Sequence, residues 1–303
     1  MTTNHLLSIR DLDQKTLYAL LDSAAEFKRL RGTPEAPKPL TERTVALIFT
    51  KSSTRTRVSF EVAITELGGN TMFLDKNALQ IGRGESMADT AKVLSRYLHG
   101  VVIRCHSHDD LVAYAECSDI PVVNALTDQY HPCQLLADLQ TIQEQAGKLA
   151  GVKVAFLGDG ASNMAYSWCL AAKLAGIELR VGAPAGYQPT PEFLADVPGD
   201  GSIVVTDDPA EAARDADFIY TDVWVSMGFE DEAQARLDTL GPYQVNAALL
   251  DVAAADVKVM HCLPAYRGKE ITADVLDGPR AIVWDEAENR LHAQKAVLAW
   301  LVR

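Results

Sequence analysis

Short apolar runs rich in β-branched residues recur along this 303-residue chain, each separated from the next by a stretch of helical character. That alternation constrains the fold more than any other feature. Parallel strands need a crossover of a dozen or more residues, and a helix is the usual crossover. In the first half the strand runs are V-A-L-I-F (45–49), T-M-F-L (71–74), V-V-I-R (101–104) and V-V-N-A-L (122–126). The second half restarts with V-K-V-A-F-L (152–157) and continues with E-L-R-V (178–181), I-V-V-T (203–206), F-I-Y-T-D-V (218–223), V-K-V-M-H (257–261) and A-I-V-W (281–284).

The helices carry their own signals. Phe60, Ala63, Ile64 and Leu67 share one face, and Gly68-Gly69 stops that helix. S-M-A-D (86–89) reads as a capped start for a helix running to about Leu98. Pro132 suits the first turn of a helix that carries Leu135, Leu139 and Ile142 and ends near Gly147. This helix reads as a bridge between domains. A surface loop is expected around 184–191, and a last helix from about Glu286 to Val302. The length fits two domains of about 150 residues. The boundaries read as 1–147 and 148–285, with 286–303 packing back on the first domain.

Composition then narrows the class. Net charge is −13, which disfavours nucleic acid or an anionic membrane as the main partner. Five scattered cysteines, odd in number and without a C-x-x-C pair, fit free thiols in a reducing compartment. No secretory h-region opens the sequence, and no apolar run approaches the ~18 residues of a membrane span. A soluble, cytoplasmic protein is expected.

Against that acidic balance, K-S-S-T-R-T-R (51–57) packs three cations and four hydroxyls between a strand and a helix. A helix start offers unpaired N–H groups and the positive end of its dipole. Ser52, Ser53, Thr54 and Thr56 add donors, and Arg55 and Arg57 add forks matched to phosphate. The plainer reading is a solvated basic turn with an ordinary cap. The spacing lacks the glycines of a P-loop, so it suggests a phosphoryl group without nucleotide machinery.

Ligands of open parallel sheets bind beyond the carboxyl ends of the strands, and other polar outliers fall at that rim. Arg104 ends one strand, and H-P-C-Q (131–134) follows another. Arg104, His131 and Gln134 together suit a carbonyl: two donors for its oxygen and an acceptor for an adjacent amine. A helix cap and a surface amide would be the ordinary alternative. G-D-G-A-S-N (158–163) only partly matches a dinucleotide fingerprint, since Asn163 replaces the third glycine. D-V-W-V-S-M-G (222–228) offers Asp222 to a cationic group, or simply an Asx turn. H-C-L-P (261–264) places Cys262 just past a buried strand, where an inert thiol is the common case. Zinc at His131, Cys133, His261 and Cys262 is disfavoured by the spacing. His106 and His108 read as loop residues.

Together S-T-R-T-R (53–57), H-P-C-Q, D-V-W-V-S-M-G and H-C-L-P resemble the ornithine carbamoyltransferase family, and the resemblance extends through Q-I-G-R-G-E-S to E-N-R-L-H-A-Q-K. It implies an α/β fold of two doubly wound parallel-sheet domains, for carbamoyl phosphate and for L-ornithine, joined by two interdomain helices in a homotrimer or a multiple of trimers. It implies no cofactor and no metal. Ser53, Thr54, Arg55 and Thr56 would hold the phosphate. Arg104 would bridge phosphate and carbonyl, His131 would donate to the carbonyl oxygen, and Gln134 would orient the carbamoyl amine. Gln80 would lie in a loop reaching a neighbouring subunit's site. Asn163, Asp222, Ser226 and Met227 would hold ornithine. Cys262 and Leu263 would line the reacting centre, and Arg290 would complete the carbamoyl-phosphate pocket. Thr50 departs from the family, which usually has glutamate there. Aspartate and putrescine are rival acceptors, and a binding protein without catalysis is the alternative from another class.

Overall fold

The computed structural model describes residues 5–75, 86–225 and 232–302. The chain divides into two compact units, Met1–Gln140 with Glu288–Arg303 and Thr141–Ala287. In the first unit α1 (Gln14–Arg29) precedes β1 (Thr44–Phe49), α2 (Thr54–Glu66), β2 (Asn70–Asp75), α3 (Met87–Leu94), β3 (Gly100–Arg104), α4 (His108–Glu116) and β4 (Val122–Leu126). The four strands are parallel in the order β2-β1-β3-β4. β1 and β3 are buried along almost their whole length, so they read as continuous apolar runs. The edge strand β2 alternates between exposed and part-buried positions. A cluster around Ala46, Ile48, Val101, Ile103, Leu111 and Tyr114 fills one side of the sheet.

From β4 the chain enters α5 (Pro132–Ala146), and the division between units falls inside this helix. The second unit holds β5 (Lys153–Leu157), α6 (Asn163–Ala175), β6 (Glu178–Gly182), α7 (Pro191–Ala195), β7 (Ser202–Thr206), α8 (Pro209–Ala213), β8 (Phe218–Thr221), α9 (Ala233–Leu240), α10 (Ala247–Val252), β9 (Lys258–His261) and α11 (Ala273–Leu276). Its strands are again all parallel, in the order β7-β6-β5-β8-β9. The last helix, α12 (Val283–Leu301), begins in this unit and ends in the first.

Strand order fixes where ligands bind. Winding reverses between β1 and β3 in one sheet and between β5 and β8 in the other. Reversal opens a crevice at the carboxyl ends of those strands. K-S-S-T-R-T-R and Arg104 flank the first crevice. G-D-G-A-S-N and Asp222 flank the second.

Three expectations need correction. A-I-V-W (281–284) is not a strand: Ala281 makes one bridge to Val259, and α12 starts at Val283. Ile282 and Val283 are buried, while Trp284 is exposed. The helix expected to reach Leu98 stops at Leu94, with Ser95 bonding back to the Ala91 carbonyl. The strand F-I-Y-T-D-V ends at Thr221, which leaves Asp222 in the loop.

The first-unit part of α12 is held by polar contacts. Lys28 Nζ donates to Asn289 Oδ1 at 2.8 Å, and Lys295 pairs with Glu66. His292 is fully buried on the same stretch. Burial and the nearby Lys295, with lesser help from Lys28 and Arg31, lower its pKa to about 4, against an opposing pull from Glu288. A lowered histidine stabilises the fold in full above its unfolded value near 6.5, and that stability is lost as pH falls towards 4. The loss from this group alone is at most on the order of 3 kcal/mol. Urea unfolding at pH 7, 5 and 4 should therefore show a falling midpoint, with a shallower fall in His292→Gln.

Candidate active site

In the first unit the anion cradle is built at the start of α2. Ser53 caps the helix: its Oγ accepts from the Thr56 N–H at 3.4 Å and donates to Thr56 Oγ1 at 2.9 Å. Thr56 is buried, and its hydroxyl oxygen is also approached by Arg290 Nη2 at 2.9 Å and Arg104 Nη1 at 3.5 Å. One hydroxyl thus gathers the cap, the arginine at the end of β3 and an arginine from α12. Arg55 is exposed at the same helix start. Arg57, read from sequence as a second fork, instead pairs with Glu61 at 2.9 Å and lies 3.7 Å from the centre of the Phe73 ring. Thr50 has a structural use: its N–H donates to the Arg104 carbonyl at 2.9 Å, continuing the β1–β3 pairing past the strand ends.

His131 and Gln134 belong to the same surroundings. His131 is buried, and burial together with the Arg290 and Arg104 charges holds its pKa well below 6.5. It is therefore a neutral imidazole with one N–H to give. Gln134 is buried on the first turn of α5, and its Nε2 donates to Asp138 Oδ1 at 2.9 Å. The carboxylate fixes which end of the amide is donor and which is acceptor. Asp138, fully buried, was missed in the sequence; its signal was the four-residue spacing from Gln134 along one helix face.

In the second unit Asp222 follows β8 and Cys262 follows β9. Cys262 Sγ donates to Asp222 Oδ1 at 2.9 Å, and the Val223 N–H donates to the same oxygen. Burial raises the Asp222 pKa, and Glu270 adds to that; His261, the Cys262 thiol and the Val223 N–H pull the other way. His261 is clamped. Its Nδ1 accepts from the Leu263 N–H at 2.9 Å, and its Nε2 lies 3.2 Å from Glu270 Oε1. Leu263 has φ 57°, a left-handed value rare for a residue with a side chain, in the segment that presents Cys262. Asp222, His261 and Cys262 offer metal-type ligand atoms within 4.8 Å of one another, and those atoms are engaged with protein partners as described.

Asn163 opens α6, with Ser162 as cap. The glycines before it serve packing. Gly158 has φ 127°, and a Cβ there would meet Trp224 Nε1 at 3.0 Å; one at Gly160 would meet the Tyr187 carbonyl at 2.9 Å. Asp159 pairs with buried Arg236, whose Nε donates to the Trp224 carbonyl at 2.6 Å. This pair, 77 residues apart, left no local signal. Gln80, Ser226 and Met227 lie outside the described residues.

Two parallel α/β units, one with a phosphate-suited cradle and a neutral histidine, the other with a paired carboxylate and thiol, define a group-transfer protein. Two family models match: the aspartate/ornithine carbamoyltransferase carbamoyl-P binding domain over residues 4–144, and the Asp/Orn binding domain over 150–301. Ornithine carbamoyltransferase of Methanosarcina mazei is 50% identical over 299 residues, covering 98% of this chain and 99% of the relative. The anabolic ornithine carbamoyltransferase of Pseudomonas aeruginosa is 50% identical over 302 residues, covering 100% and 98%. The solved ornithine carbamoyltransferase of Pyrococcus furiosus superposes with TM-score 0.93 at 45% identity, covering 99% of this chain and 97% of that one. The chain belongs to the aspartate/ornithine carbamoyltransferase family.

Proposed function

We propose that this chain transfers the carbamoyl group of carbamoyl phosphate to the δ-amino group of L-ornithine, giving L-citrulline and phosphate. The observation that carries this reading is the gathering of Ser53, Arg104 and Arg290 on the Thr56 hydroxyl at a helix start. Such a cradle suits a small phosphorylated donor. Ser53, Thr54, Arg55 and Thr56 hold the phosphate, Arg104 spans phosphate and carbonyl, and Arg290 completes the pocket. Neutral His131 donates to the carbonyl oxygen, while the acceptor end of Gln134 orients the carbamoyl amine.

The amine nitrogen forms a bond to the carbonyl carbon as the carbon–oxygen bond to phosphate breaks. An amine with pKa near 10.4 is neutral in roughly one molecule in a few thousand at pH 7. The acceptor half must therefore receive a proton, and the Asp222–Cys262 pair is suited to it. Leu263 lines the reacting centre, and Asn163, with Ser226 and Met227, holds the α-amino and carboxylate ends of ornithine. Asp222 places a carboxylate just past the end of β8 at the second unit's rim. That favours a cationic acceptor over aspartate. The protein is cytoplasmic and works as a homotrimer or multiple of trimers, with Gln80 reaching a neighbouring subunit. Among the described residues no helix is long and apolar enough to cross a membrane.

A substrate panel tests the assignment. With carbamoyl phosphate, citrulline from ornithine should form at least about a hundredfold faster than product from aspartate or putrescine. No citrulline, with turnover of another acceptor, would overturn it. Light scattering should give three chain masses or a multiple.

A further inference from the structure

Arg104 ends β3 and His131 follows its parallel neighbour β4, and each lies close to a short stretch, 105–108 leading into α4 and 127–130 after β4. These two segments are laced together. His108 Nδ1 lies 3.0 Å from Thr127 Oγ1, and the His108 N–H donates to Asp128 Oδ1 at 3.1 Å. The Asp128 N–H donates to the His106 carbonyl at 2.8 Å, and His106 Nδ1 lies 3.3 Å from Asp128 Oδ2. The His108 ring meets the Tyr130 ring edge-on, centres 4.9 Å apart. His108 is thus the first residue of α4 and not the loop residue its sequence suggested.

Behind this lacing the turn that delivers His131 is closed on itself. The Thr127 N–H donates to the Tyr130 carbonyl at 3.0 Å, and the Tyr130 N–H donates to Thr127 Oγ1 at 3.2 Å. Asn124 Nδ2 adds a bond to the same carbonyl at 3.3 Å. Thr127 Oγ1 is therefore shared between the turn and His108. On the other side, Cys105 continues the β3–β4 pairing through the Leu126 carbonyl at 3.2 Å, just past the register shift at Ile103/Arg104.

We propose that His108, acting through Thr127 and Tyr130, is a positioning residue that sets His131 against Arg104 at the carbonyl of the donor. It touches no substrate. The inference rests on the roles of His131 and Arg104 given above. A misplacement near 1 Å at a reacting group can cost about a hundredfold, so a loosened turn that keeps the histidine itself should cost less than its removal.

Steady-state citrulline formation tests this on the full chain. His108→Ala should lower kcat roughly ten- to thirtyfold, with KM for ornithine within twofold and an unchanged urea midpoint. His108→Asn, whose amide can take the place of Nδ1, should recover kcat to within about threefold. Thr127→Val, equal in shape but without the shared oxygen, should reproduce the alanine loss, and it serves if His108→Ala does not fold. Wild-type kcat in both His108→Ala and Thr127→Val, or losses that follow the urea midpoint without recovery in His108→Asn, would overturn the proposal. His131→Asn is the control: if it also keeps wild-type kcat, the role given to His131 fails instead.

Discussion

Arg104→Gln is expected to lower kcat/KM for carbamoyl phosphate by about a thousandfold while leaving the urea midpoint near that of the wild type. Removal of one preorganised donor to a developing oxyanion typically costs ~10²–10³ in rate, and in the proposed reaction the same side chain would also neutralise the departing phosphate. Arg104 is buried at the end of β3, 3.5 Å from Thr56 Oγ1, and its carbonyl anchors Thr50. That backbone contact survives the substitution, so the fold should survive as well. A second signature separates electrostatics from packing. The Arg104 charge helps depress the His131 pKa; without it that pKa moves back towards 6.5, and the neutral imidazole becomes scarcer at mildly acidic pH. The acid limb of the kcat/KM profile should therefore shift upward in Arg104→Gln. A mutant with the wild-type limb, or with less than a tenfold loss, would remove Arg104 from the carbonyl.

The central strands were plain in the sequence for a simple reason. β1, β3 and β5 are covered on both faces, so their central residues are apolar and the run is nearly continuous. One cap was read outright: Ser86 accepts from the N–H three residues on, and Ser53 and Ser162 do the same at α2 and α6. A-I-V-W misled because an apolar run of four has no period long enough to separate strand from helix start. The acidic first turn, Asp285 and Glu286, was the better cue. Strand order was not visible at all. No local pattern says that β1 neighbours β3, and so no pattern says which rim segments flank a crevice.

At the site, residues that act through their own segment were legible and residues that act through a distant partner were less so. S-T-R-T-R announces a helix start with donors. Thr56 could be named from that motif, but its place between Arg104 and Arg290 depends on contacts spanning 48 and 234 positions. Arg57 shows the converse error. It shares the motif's charge, yet its own helix turns it towards Glu61, four residues on. Glu270 and Arg236 are invisible for the same reason as strand order: each acquires meaning only from a partner distant in sequence or set on another element. Sequence spacing reports neighbours on one helix face, whereas a buried charge is defined by whatever the fold brings against it.

Asp222→Asn should be the second large effect: a fall of about a hundred- to a thousandfold in kcat/KM for ornithine, with affinity for carbamoyl phosphate within about threefold. The asparagine can still accept from the Cys262 thiol, but it can neither take a proton from the δ-amine nor offer a charge to it. Wild-type activity at limiting ornithine should rise from pH 6.5 towards 8.5 as the amine loses its proton more readily. Stability should move in the opposite direction to activity. Burial is the main reason the Asp222 pKa is raised, so the folded state disfavours the carboxylate, and folding loses free energy as pH rises through the ordinary carboxylate value. Asparagine carries no such penalty. Its urea midpoint should therefore exceed that of the wild type at pH 8, with the gap closing as pH falls towards 4. A residue kept only for structure would show the reverse, losing stability on substitution. A more stable and nearly inactive Asp222→Asn would mean that the fold tolerates a poorly solvated charge because the acceptor amine needs one there.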